Sequence, residues 1–230
     1  MNKKIKYSFK KDHFEKLAWQ KNKFICGIDE VGRGCLAGPL ITCAAILPLN
    51  AKHKFLKDSK KLDLHQRKIA YKWLTKNCYY SIAISSNKMI DKLNIYQATL
   101  FCMKKSFIQI LQIFPTQDLL ESVCIDAMPL NLSKFDFCKS IKFHYFDKGE
   151  DKSSSIAAAS IIAKVFRDKL MVKISNSFSC YNFSVNKGYG TTDHLKNLVS
   201  YKESLIHRKT FLSNFKYMSN NEQTKQQTIY

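Results

Sequence analysis

Apolar positions along the chain alternate between short unbroken runs and longer stretches spaced at helical intervals. The first run, Phe24 to Ile28, breaks into Asp29-Glu30, and the second spans Pro39 to Leu47. Runs of that length, bounded by glycine and proline, predict buried strands. Tyr79 to Ser85, Ser122 to Asp126 and about Ile141 to Phe146 repeat the pattern, so five strands are expected. The tight glycine segment between the first two predicts an antiparallel pair. A short helix is expected around Phe14 to Trp19. A second should run from about Leu64 to Lys76, after a polar loop at Leu56 to Leu62 in which Asp58 and Ser59 could cap. Ile95 to Phe114 is amphipathic and closed by Pro115, with Ala98, Phe101, Cys102, Phe107, Leu111 and Phe114 predicted as core. The strongest helix signal is Ile156 to Asp168, whose alanines let a backbone approach a sheet closely and which Ser153 to Ser155 can cap. One more helix is expected after His194.

Size changes this picture little: 230 residues with 45% apolar positions suffice for one domain, expected at 24–215 between a polar lead-in at 1–23 and a frayed tail at 216–230. Charge changes it more. The 38 Lys and Arg against 18 Asp and Glu leave +20, which points to a polyanion such as nucleic acid, although the excess is spread along the chain. Eight cysteines form no Cys-x-x-Cys pair, and several sit inside strand-like runs, so zinc and a disulfide frame are not expected. The N-terminus lacks a secretory apolar core and no run is long enough to span a membrane. A reducing cytoplasm and a monomer are the expectations. His194 and His207 are minor catalytic candidates.

The chemistry is concentrated at strand ends. Asp29 and Glu30 neighbour each other at the end of the first strand, and side chains alternate along a strand, so both serve one site only if the strand stops near Glu30. Gly32-Arg33-Gly34 supplies a sharp turn, bare peptide groups and a cationic fork for phosphate. Asp126 ends another apolar strand, and Glu150 or Asp151 lies just ahead of the alanine-rich helix. Carboxylates without Cys or His suit magnesium or manganese. Acids crowded into one cleft also repel each other unless cations are present, so acids and metal explain one another. An acidic pair beside a glycine turn also finishes many ordinary strands. A basic nucleic-acid-binding protein without catalysis is the competing reading.

Several segments in one order decide between these readings. Gly27-Ile-Asp-Glu-Val-Gly-Arg-Gly34, Asp58-Ser-Lys-Lys-Leu62, Cys124-Ile-Asp126, Lys148-Gly-Glu-Asp151, Ile156 to Asp168 and Lys187-Gly-Tyr-Gly-Thr191 resemble the bacterial type 2 ribonuclease H family, ribonuclease HII, over about residues 24 to 215. The resemblance implies an α/β ribonuclease H-like fold, a mixed five-stranded sheet flanked by helices with a helical C-terminal part. It implies an endonuclease that cleaves the RNA strand of RNA–DNA hybrids. It also implies nicking 5′ of single ribonucleotides in duplex DNA by two-metal-ion hydrolysis with Mn2+ or Mg2+, leaving 3′-hydroxyl and 5′-phosphate ends. Carried over, Asp29, Glu30, Asp126 and Glu150 are the catalytic metal ligands. Gly32, Arg33 and Gly34 read the ribonucleotide, Tyr189 meets the next deoxyribose, Lys60 and Lys61 contact phosphate, and Arg167 and Lys187 are weaker phosphate contacts. The chain departs from the family at Cys35, where proline is usual and a looser turn is expected. It departs again at Glu150, where aspartate is usual, leaving Asp151 as the alternative ligand. A type 3 ribonuclease H would carry an extra N-terminal domain, and 28 residues precede Asp29.

Overall fold

A computed structural model describes residues 9–130, 132, 135 and 138–213, so the start of the lead-in and the expected tail at 216–230 lie outside the described residues. Five strands form one mixed sheet: β1 (Phe24–Val31), β2 (Leu40–Ile46), β3 (Tyr79–Ser85), β4 (Leu120–Asp126) and β5 (Lys142–Phe146), in the order β3-β2-β1-β4-β5. β1 is antiparallel to β2 as expected and parallel to β4, which is parallel to β5.

The helices are α1 (His13–Trp19), α2 (Leu64–Asn77), α3 (Asn87–Leu93), α4 (Ile95–Ile113), α5 (Ser154–Ser175), α6 (Phe183–Asn186) and α7 (Thr192–Tyr201). The cap of α2 is Asp63, which accepts from Gln66 N–H. Asp58 instead closes the 3-10 turn Ser59–Lys61. Ser153 caps α5 through Ile156 N–H at 3.2 Å. α3, begun by a Ser86 cap, was not expected, since seven residues carry too little periodicity to read. Phe101, predicted as core, is 53% exposed.

The chain sorts into two compact units, each built from several segments. The first comprises 1–31, 41–83 and 100–166. In it, Cys26, Ile28, Val123 and Ile125 turn one face of the sheet toward Met103, Phe107, Ile110 and Phe114 of α4 and the residue after it. Ile25 and Cys124 turn the other face toward Ala18 of α1 and Ile156 of α5. Gly27 lies on this second face, and a Cβ there would stand 2.0 Å from the Ser155 carbonyl carbon. The glycine is therefore what lets the N-terminus of α5 rest on the strand. The second unit comprises 32–40, 84–99 and 167–230, with its own core of Ala37, Met171, Tyr181, Phe183, Leu198 and Leu212.

Candidate active site

Parallel pairing brings two of the predicted carboxylates together. The ladder between β1 and β4 ends at Ile28 opposite Ile125, so Asp29 and Asp126 are the next residues on adjacent strands. Residues in register on parallel neighbours share a face, and the strands lie about 5 Å apart. That face carries Gly27 and is covered by α5. From it Ser160 bonds the Asp29 carboxylate and also meets Ser59 Oγ at 3.0 Å. Asp29 Oδ1 additionally accepts Glu30 N–H at 2.7 Å.

The expected strand end at Glu30 needs a correction of one residue. β1 pairs with β2 through Val31 opposite Ile41, one residue past Glu30, while its ladder with β4 already ends at Ile28, and the Glu30 charge acts on Asp29. β4 does stop at its acid: Ala127 takes φ 51° and turns the chain away. Asp126 Oδ1 then accepts Gly149 N–H at 2.6 Å, which fixes the turn that carries Glu150.

The electrostatics are those of crowded acids. Burial, then the charges of Glu30, Asp126 and Glu150, hold the Asp29 carboxyl well above the usual carboxylate range. Burial also raises Asp126, opposed by the Gly149 N–H and by Lys60. Glu150, 6% exposed, is raised by burial and by the Asp126 and Asp58 charges. Asp151 behaves oppositely. It is exposed, its carboxyl is pulled down by a hydrogen bond from Lys61, and the two side chains form a surface ion pair at 2.6 Å. The two candidates for the fourth acid thus differ: Glu150 belongs to the cluster and Asp151 is occupied by Lys61. Lys60 is the exposed cation that acts on both Asp126 and Glu150.

Among the described residues, no group of three or more acid, histidine or cysteine side chains is placed so that it could hold a metal ion. The donors nevertheless fit a hard divalent cation. They are oxygens only, they come from β1, β4 and the turn before α5, and their mutual repulsion favours whatever positive charge enters.

The other predicted residues lie in the second unit. Gly32 has φ +89°, and a Cβ on it would meet Arg167 Nε at 2.3 Å, so the fold itself requires glycine there. At Gly34 an added Cβ meets nothing within 4 Å and no positive φ occurs. The fold does not explain that glycine. Arg167 is fully buried, donating to Pro39 O (2.9 Å), Lys187 O (2.8 Å) and Ala37 O (3.2 Å), which corrects its reading as a phosphate contact. Lys187 directs its ammonium at Ser184 O. The Cys35 thiol is buried and lies 3.9 Å from Lys187 O.

Tyr189 is partly exposed, with its ring 5.7 Å from the Arg167 guanidinium. Burial and the Cys35 thiol push its hydroxyl up to about 12. His194 and His207 are a buried structural pair, Nε2 to Nε2 3.0 Å, with His194 Nδ1 2.8 Å from Tyr189 O. Burial and the neighbouring His194 lower His207 to about 4. Residues missed from sequence are Ser160, a lone polar side chain in the alanine-rich run, and Arg208, beside His207.

A family model described as Ribonuclease HII matches residues 26–216. A ribonuclease HII from Macrococcus caseolyticus is 46% identical over 189 residues, 82% of this chain and 67% of that protein. Among solved structures, the ribonuclease HII in a PCNA complex from Archaeoglobus fulgidus aligns with TM-score 0.62 at 24% identity, covering 81% of this chain and 94% of that one. A type 3 ribonuclease H, Bst-RNase HIII in complex with Mn2+, aligns with TM-score 0.65 at 18% identity, covering 88% and 72%. At those identities the two structures speak to the fold. No helix among the described residues is long and apolar enough to cross a membrane.

Proposed function

This chain belongs to the ribonuclease HII family and is a metal-dependent ribonuclease H endonuclease acting on RNA–DNA hybrids, and from that premise we propose that it also nicks duplex DNA 5′ of single embedded ribonucleotides. The observation that carries the reading is the register that sets Asp29 beside Asp126 on adjacent parallel strands, with Glu150 on the turn that Asp126 holds, each carboxyl raised by burial and by neighbouring acids.

Asp29, Glu30, Asp126 and Glu150 would hold two divalent cations, Mg2+ or Mn2+, which supply Lewis acidity and a more acidic attacking water. The rest is done by side chains and peptide groups. Ser160 and the Glu30 N–H orient Asp29, and the Gly149 N–H orients Asp126. Lys60 sits beside Asp126 and Glu150 as a point charge for the non-bridging phosphate oxygens. Water attacks phosphorus in line and its oxygen stays on the 5′-phosphate. The proton ends on the departing 3′-oxygen.

A ribonucleotide's own 2′-hydroxyl neighbours its 3′-phosphate, not its 5′-phosphate. For a nick on the 5′ side the hydroxyl therefore serves recognition, and no cyclic phosphate forms. Recognition is assigned to Gly32, Arg33 and Gly34, with Tyr189 against the following deoxyribose. The open space at Gly34 supports this, because a glycine the fold does not need leaves room for a sugar. Lys61, in a weak surface pair with Asp151, remains able to contact phosphate beside Lys60. The net charge of +20 supplies sequence-independent phosphate affinity that should weaken with salt.

The test is a duplex carrying one ribonucleotide, incubated with manganese and then with chelator. Metal-dependent nicking 5′ of the ribonucleotide, with a 3′ end that a polymerase extends, is expected. A duplex bound but intact under every metal condition would favour the non-catalytic binder.

A further inference from the structure

The Gly32-Arg33-Gly34 turn is shaped from within by a residue far along the chain. Arg208 is fully buried in the second unit, and its four hydrogen bonds all end on main-chain carbonyls. Nη2 donates to Gly32 O at 2.7 Å and Gly38 O at 3.0 Å, Nη1 to Arg33 O at 2.7 Å, and Nε to Gly38 O at 3.1 Å. The Arg208 main-chain N–H is bonded as well, to Leu36 O at 2.8 Å. Burial pushes the guanidinium down to about 10, so it stays cationic at neutral pH. A charge buried on neutral carbonyls is an expensive way to close a loop, which asks for a return beyond packing.

Peptide geometry supplies that return. The peptide bonds here are trans, and in a trans peptide the C=O and the following N–H point in opposite directions. With the Gly32 and Arg33 carbonyls turned onto Arg208, the N–H groups of Arg33 and Gly34 are turned away from it. Gly34 is exposed and faces open space. We propose that Arg208 is a positioning residue for ribose selection: by fixing the Gly32 and Arg33 carbonyls, it aims the Gly34 N–H, with that of Arg33, at the 2′-hydroxyl of the substrate. Deoxyribose offers no acceptor there, so the aimed donor distinguishes the two sugars. Lysine does not replace the planar fork, because its three donors radiate from one nitrogen on a flexible stem, whereas these carbonyls are met by three separate nitrogens held in one plane. The assignment rests on the reading that this turn recognises ribonucleotides.

The test compares parent and Arg208→Lys with manganese, measuring KM and kcat on the single-ribonucleotide duplex and the inhibition constant of the same duplex made wholly of DNA. In the variant the ratio of that inhibition constant to KM should fall about tenfold or more, with the inhibition constant itself unchanged. A folded variant that keeps the parent's ratio overturns the role of Arg208, and so does one that loses affinity for both duplexes equally. A parent with no preference between the duplexes instead sinks the recognition reading beneath it. Should the variant fail to melt cooperatively, the 15N-labelled parent decides in the presence of chelator. The Gly34 amide resonance should shift with the ribonucleotide duplex and not with the DNA duplex, and equal shifts with both overturn the assignment.

Discussion

Neutralising Asp29 should make the metal-free protein more stable while destroying its activity. Asp29 is 4% exposed and stands next to Asp126 in register on the neighbouring strand. Two unit charges about 5 Å apart at an effective dielectric constant of about 20 repel by about 3 kcal/mol. In Asp29→Asn the side-chain amide keeps an oxygen able to accept the Glu30 N–H, so the replacement forfeits about 1 kcal/mol of hydrogen bonding. The net gain of about 2 kcal/mol corresponds to a rise in Tm of about 4–8 °C for a chain of this size.

The pH dependence follows from the sign of the shift. Because the folded carboxyl is raised above its unfolded value, its favourable contribution is complete below about pH 4 and is lost as pH climbs through the folded value. The advantage of Asp29→Asn over parent should therefore widen as pH rises. Calorimetric melting in chelator from pH 5 to 8 measures it. Saturating manganese should narrow or reverse the gap, since the cation replaces the missing counter-charge. A variant that melts at or below the parent throughout in chelator would refute the repulsion argument and, with it, the case for a cation site at these strand ends.

Three further outcomes are expected. Glu150→Gln should cut hybrid cleavage by about a hundredfold or more. Asp151→Asn, which breaks only an exposed ion pair worth about 0–1 kcal/mol, should stay within a few-fold, and a steady-state comparison of the two decides between them. Gly27→Ala places a methyl 2.0 Å from the Ser155 carbonyl carbon and should prevent soluble expression or remove cooperative melting. His207, lowered to about 4, is held neutral in the fold, so its contribution to stability is present above about pH 6.5 and is lost as pH falls toward 4. His207→Gln should flatten that part of the melting profile.

Much of the fold was legible because it is written locally. β3 spans the residues its apolar run predicts, and β2, β4, β5 and α5 were each found within a few residues or extended at their ends. Asp29 and Asp126 stand out as candidates for the same reason: a carboxylate near the end of a buried strand differs sharply from its neighbours. Phe101 was misread because its spacing matched the apolar stripe of α4 while no partner covers it enough to bury it. Arg167 was misread because arginine near a substrate motif has two uses, and only its carbonyl partners show which applies.

That Asp29, Glu30, Asp126 and the Gly-Arg-Gly turn are the candidates, and that their oxygen donors suit a hard cation, follows from residue type and order alone. Tertiary structure decided what sequence left open. Parallel register set Asp29 beside Asp126, Lys61 pairs with Asp151 while the Asp126 and Asp58 charges act on Glu150, and Arg208 came to bear on a turn some 175 residues away. The division has a physical cause. Strand and turn propensity act between neighbours in the chain, whereas repulsion, ion pairing and the closing of buried carbonyls act between groups that meet only after folding.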